Sequence, residues 1–173
     1  AICDAAARYE APFGHIERDL ASGEEVPALR WADVTGKSAG GRAGAALLND
    51  CKYGHSLDGT TLAVTLIRSS YEPDALPEVG DHRMRLGIAP HGPAPDAAEL
   101  TRLAARFSHP PLIVATDAHN GAFPPAATLL ASISPKSVVL TSCRKAADED
   151  AWIVHLLNSG PKAAKAKVDL CGE

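Results

Sequence analysis

Short runs of alternating apolar and polar residues, cut by frequent glycine and proline, set the pattern of this chain. A period of two sends successive side chains to opposite faces of a strand. Residues 9–18 hold Pro12 and Gly14, which break a helix and predict strand, turn, strand. Residues 21–27 read as a polar loop, 28–34 as a short strand carrying Trp31, and 45–49 as another strand. Between those two strands, 36–44 is rich in glycine and serine and is expected to be a mobile loop. Asp58-Gly59 signals a tight hairpin turn. In 61–69, Leu62, Val64 and Leu66 alternate with Ala63, Thr65 and Ile67, which suits a strand buried on both faces. Further on, His82, Met84, Leu86 and Ile88 alternate with Arg83 and Arg85, which suits a strand with one wet face. The acidic stretch 69–81 between them is stiffened by Pro73 and Pro77 and reads as a long loop.

The pattern changes once to a helical period. Asp96 is a suitable N-cap, Glu99 follows three residues later, and Leu100, Leu103, Ala104 and Phe107 share one face, so a helix is predicted over 96–107. Pro110-Pro111 ends it, and further breaks stand at Asn120-Gly121 and Pro124-Pro125. Residues 127–133, 137–145, 151–158 and 165–170 then read as four strands, with 147–150 as the turn between the second and third. Trp152, Val154 and Leu156 fall on one face of the third; Ile153, His155 and Leu157 fall on the other. Many short strands and one helix predict a mainly β fold, an antiparallel β-sandwich. Residues 1–124 would supply the sandwich with its helix, and 125–173 terminal strands packed on the same unit.

Composition narrows the choice of partners. At 173 residues, with 46% apolar and 22% charged, the chain suits a single folded domain. A net charge of −4 and the lack of a basic run give no reason to expect nucleic acid. The longest apolar stretches, 137–141 and 151–157, are far too short to span a membrane. No signal-peptide pattern is visible, so a cytoplasmic location is expected. The chain opens Ala1-Ile2-Cys3 and its sole methionine is Met84, which predicts a processed product or a piece of a longer polypeptide. Cys3, Cys51, Cys143 and Cys171 lie far apart with no C-x-x-C pair, and read as reduced, buried hydrophobes rather than zinc ligands. With aromatics at 5%, Trp31 and Trp152 are both expected in the core.

Polar residues crowd into the connections of 49–91, where binding groups are disproportionately found. Asp50, Asp58, Asp74 and Asp81 are the candidate carboxylates there. Asp58 reads as a turn residue and Asp74 as a solvated loop residue, so no independent catalytic pair is expected. His82 and His91, nine apart, would face opposite sides of a regular strand, which argues against a metal site with Asp81. Arg68 is expected to pair with Asp74 or Asp81.

Several motifs in this order carry a family resemblance. The runs LLNDCKYGHSLDGTTLAVTLIRS (47–69) and PDALPEVGDHRMRLGIAPHG (73–92) resemble the C-terminal β-region of glycoside hydrolase family 38 α-mannosidases. PFGHIER (12–18), EVPALRWADVT (25–35), HNGAFPP (119–125) and SVVLTSCRKAADEDAWIVHLLNSG (137–160) extend the likeness over nearly the whole chain. The resemblance implies β-sandwich structure and a parent enzyme that hydrolyses terminal α-mannosides with retention. Such chemistry takes a nucleophilic carboxylate and an acid/base carboxylate about 5–5.5 Å apart. In the family the nucleophile and the zinc ligands belong to an N-terminal catalytic domain, and those motifs are absent here. This fragment alone is therefore expected to be inactive and to hold no cofactor, with zinc in the catalytic domain of the same polypeptide. By motif, Asn49, Asp50, Lys52, Tyr53, Asp74, Asp81 and His82 are the residues that would line the parent's sugar site. Lys52 offers donors to hydroxyls, Asp50 accepts from them, and Tyr53 could stack on a sugar face. The simpler alternative is that Asn49 and Asp50 cap a turn while Lys52 and Tyr53 pack an interdomain surface. A free-standing carbohydrate-binding module and an interdomain or oligomerisation unit are the rival functions. Exposed apolar surface on such a domain predicts self-association.

Overall fold

The computed structural model describes residues 3–18, 23–69, 71–73, 78–93, 95–120 and 130–170. Along the chain come β1 (Cys3–Ala11), β2 (Gly14–Arg18), β3 (Val26–Pro27), β4 (Trp31–Ser38), β5 (Gly41–Asn49), β6 (Gly54–Asp58), β7 (Thr61–Val64) and β8 (Leu86–His91). They are followed by α1 (Ala97–Ser108), β9 (Leu130–Ser134), β10 (Val138–Lys145), β11 (Trp152–Asn158) and β12 (Lys167–Leu170). A five-stranded sheet has the order β2-β1-β4-β5-β8, a three-stranded sheet the order β3-β6-β7, and β9 with β12 and β10 with β11 make two ribbons. Every pairing is antiparallel. Among the described residues, the expected β-sandwich with one helix is what forms.

The large sheet is the middle layer. On one face Ala7, Tyr9, Ala32 and Val34 pack with Ala28 against Leu57 of β6 and Leu62 of β7. On the other, Trp31, Ala46 and Leu48 pack under Ala97, Leu100 and Ala104 of α1. Burying each large apolar side chain in these two seams contributes about 1.5–3 kcal/mol. Asp96 caps α1 as its position predicts, its carboxylate accepting from the Ala98 N–H at 3.1 Å.

Strand boundaries depart from expectation in three places. Residues 36–44 are ladder, not loop: β4 and β5 pair from Trp31–Leu48 to Ser38–Gly41. Gly44 is there for close packing, since a Cβ on it would lie 2.0 Å from the Val34 carbonyl oxygen and 2.7 Å from His91 Cε1. The run 61–69 leaves the sheet after Val64; β7 is an edge strand, and Leu66 and Ile67 are exposed. The strand buried on both faces is β4 instead, because its side chains enter both clusters, Ala32 and Val34 on one face and Trp31 on the other. The third run enters the sheet only at Leu86 and continues to His91.

The late strands form where alternation predicts them, with β9 beginning at Leu130; residues 121–129, including Gly121 and the Pro124-Pro125 break, lie outside the described residues. A register shift between Leu140 and Ser142 disturbs the clean two-face alternation of the β10–β11 ribbon. Trp31 is completely buried, as expected, but Trp152, on the β10–β11 ribbon, is 60% exposed. Cys3 and Cys51 are exposed and Cys143 is half-buried, all with free thiols, so the buried-hydrophobe reading fails for the first two. No helix among the described residues is long and apolar enough to cross a membrane.

Candidate functional site

At one end of the large sheet, β5 runs out at Asn49 and turns through 50–53 into β6, next to the start of β8. Asn49 builds that turn. Its amide is buried, Oδ1 accepts from the Lys52 N–H at 2.8 Å, and Nδ2 donates to the Leu29 carbonyl at 3.1 Å. The same Nδ2 lies 3.5 Å from Nε2 of His55, which is fully buried. Burial pushes the His55 pKa below its usual value, against opposing pulls from the Tyr53 backbone and the Glu25 charge.

Asp50 is tied across to the approach to β8. The Arg85 N–H donates to Oδ1 at 3.0 Å and the guanidinium Nε to Oδ2 at 2.9 Å. The backbone donor first, then the guanidinium, lower the Asp50 carboxyl to about 2. Arg85 also stands 5.5 Å above the Phe107 ring, which links the turn to the end of α1. A carboxylate held this way stays ionised near neutrality and has no proton to give, so it suits hydrogen-bond acceptance and not acid catalysis.

The other candidates are spread around this end. Lys52 is half-buried, and its ammonium has no partner among the described residues; Tyr53 is 58% exposed. Asp81 and His82 are exposed, and His82 Nε2 donates to the Glu78 carbonyl at 2.8 Å. Asp74 lies outside the described residues. Asn49, Asp50, Lys52 and Tyr53 thus share one turn, whereas Asp81 and His82 occupy a separate connection. Arg68 meets Glu25 at 3.4 Å and its N–H donates to the Glu78 carboxylate at 2.8 Å; Glu25 also accepts from the Thr65 hydroxyl. Its expected partner Asp81 is not among those contacts.

No group of three or more His, Cys, Asp or Glu side chains is gathered among the described residues in a way that would hold a metal. His82 is committed to Glu78 and His91 to Asp33, so zinc does not fit the described donors.

Residues 1–76 match the model of the glycosyl hydrolases family 38 C-terminal domain. Those residues belong to that family's domain. The match takes in the 49–53 turn and stops before Asp81 and His82. Relatives of the family 38 domain extend the likeness. Alpha-mannosidase G of Dictyostelium discoideum is 30% identical over 167 residues, covering 88% of this chain and 14% of that protein. Human alpha-mannosidase 2C1 is 34% identical over 148 residues, covering 81% of this chain and 14% of its own length. An alpha-mannosidase of Saccharomyces cerevisiae is 34% identical over 111 residues, 60% of this chain and 10% of that protein. The chain therefore spans roughly a seventh of the length of the first two of these relatives.

Sequence reasoning missed the buried ionic centre of the family 38 domain. Asp33 accepts from Arg8 Nη2 at 2.6 Å, from Arg8 Nε at 3.2 Å and from His91 Nε2 at 2.6 Å, while Arg8 Nη1 donates to the Pro95 carbonyl at 3.0 Å. That cluster binds β1, β4, β8 and the approach to α1 together. A charged residue inside the apolar 28–34 run was the available signal. A groove of about 970 Å³ separates α1 from β9 and β10, lined by Arg102, Leu103, Arg106, Ile133, Lys136 and Leu140 among others.

Proposed function

We propose that this domain is the accessory C-terminal unit of a retaining α-mannosidase, and that its 50–53 turn faces the sugar site of an N-terminal catalytic region of the same polypeptide. The observation that carries this reading is the match to α-mannosidases across most of this chain but only a small part of theirs. In this reading the catalytic carboxylates and the zinc belong to that other region. The domain supplies a rigid turn, with Asn49 and the Asp50–Arg85 pair holding the backbone while the Lys52 ammonium is left to donate to mannose hydroxyls. Tyr53, Asp74, Asp81 and His82 complete the proposed lining.

The chain alone, mixed with an α-mannoside and zinc, is expected to release no mannose; measurable turnover sinks the accessory reading. In the polypeptide that includes the catalytic region, Lys52→Ala is expected to raise KM for α-mannosides about tenfold, the loss of one charge-assisted hydrogen bond. An unchanged KM would leave the turn as an interdomain support only. A second reading has one observation in its favour, the open ring of Trp152: a carbohydrate-binding surface on the β10–β11 ribbon. Titration with mannose and mannobiose, followed through the Trp152 indole NMR signal, decides it.

A further inference from the structure

The β1–β2 hairpin closes through two residues, Pro12 and Phe13, inside the Ala11–Gly14 pair. Proline at the first central position and a positive φ at the second is the type II arrangement, and the second place suits glycine or asparagine. Here it is Phe13, held at φ 63° with its side chain 88% exposed. A bulky L-residue is strained in that region, and a ring in water gains nothing from folding. The fold by itself gives no reason for a phenylalanine at this tip.

Beside the tip lies a pocket of about 170 Å³, lined by Tyr9, Pro12, Ile16, Arg18, Leu29 and Tyr53 among others. Its walls are mostly carbon. At about 30 Å³ per water the space holds roughly five or six waters, or one benzyl group. Arg18 Nε is buried at this pocket without a hydrogen-bond partner among the described residues. Water or a sugar ring, with polar groups all round, would find few partners there. An aromatic ring suits it better, burying carbon against carbon while the guanidinium meets the π-face.

We propose that two copies of this chain associate about a two-fold axis, with Phe13 of each seated in the pocket of the other beside Arg18. A protruding ring and a hole of matching size and chemistry, on one surface of one molecule, make the self-complementary patch that an isologous dimer requires. Ile16, 45% exposed at the pocket rim, is covered in the same contact. Strain at the turn then serves to aim the ring outward. Tyr53 is common to this pocket and to the proposed sugar-site turn, so the test uses residues that the mannosidase reading does not involve.

Light scattering on the eluted 173-residue chain, over a wide concentration range, should give a dimer. Phe13→Gly suits the positive φ and keeps the fold, checked by circular dichroism; it is expected to weaken dimerisation at least tenfold. Ile16→Arg, which blocks the rim, should do the same. Mixing the two variants should restore part of the association, because one intact ring then meets one intact pocket. A wild-type chain that stays monomeric throughout, or a Phe13→Gly chain that dimerises as tightly as wild type, overturns the proposal.

Discussion

The described parts of residues 3–108 and of residues 130–170 are both built around antiparallel strands, yet they are held together by different means. In the first region the sheet has a layer on each face, and two clusters of buried side chains run through it. Its buried carboxylates are paired: Asp33 with Arg8 and His91, and Glu10 with Arg30 at 2.5 Å. In the second region the buried side chains, among those described, are Val138, Val139 and Ser159. Its ion pairs, Lys145–Asp150 at 3.0 Å and Lys167–Asp169 at 3.3 Å, stand in solvent. Backbone ladders alone are marginal in water, so the ribbons depend on what packs against them. Strand content and stability are therefore separate properties of this fold.

The two tryptophans give the widest contrast. Trp31→Ala opens a cavity between sheet and helix and is expected to cost about 3–5 kcal/mol, whereas Trp152→Ala should stay within about 0.5 kcal/mol. Urea denaturation followed by circular dichroism measures both, and similar losses would mean that the ribbon is packed after all. Next comes charge. Asp33→Ala strands the Arg8 guanidinium and His91 in a largely dry site and should cost about 3 kcal/mol. Lys145→Ala should change stability by less than about 1 kcal/mol, as exposed pairs do.

A smaller effect concerns pH. Because burial holds the His55 pKa below 6.5, the unfolded chain takes up a proton before the folded one does. Stability is then complete above about pH 6.5 and declines as pH falls toward the folded-state value. Melting curves across that window should show the decline in wild type and a flatter response in His55→Gln; equal slopes would count against the assignment. The smallest effect belongs to Asp50. Its carboxyl, at about 2 in the fold against 3.8 ordinarily, lends stability that lasts through mild acid and is lost as pH drops between those values. Since the pair with Arg85 is partly exposed, Asp50→Asn should cost less than about 1 kcal/mol at neutral pH.

Local signals accounted for much of this molecule. The Asp96 cap, the hairpin after Asp58 and the β10–β11 hairpin each depend on residues only a few positions apart, where steric and hydrogen-bond preferences act directly. Errors arose where composition stood in for context. Glycines in 36–44 looked like a flexible loop, although Gly44 is small because Val34 and His91 press against it. The 61–69 run looked deeply buried because it is apolar, yet edge placement leaves Leu66 and Ile67 in water. At the candidate site the 49–53 turn was legible as a motif, but Arg85, which fixes Asp50, sat unnoticed in an alternating run.

The amino-acid order by itself determined the predominance of strand, the helix after Asp96 and the kinship of the chain, since all three follow from short-range pattern. Only the tertiary structure decided which polar groups meet. Asp50 and Arg85 are 35 residues apart and Asp33 and His91 are 58 apart. Such pairs exist because β5 lies between β4 and β8 in a particular register, and register is a property of assembled strands, one that no single strand carries alone.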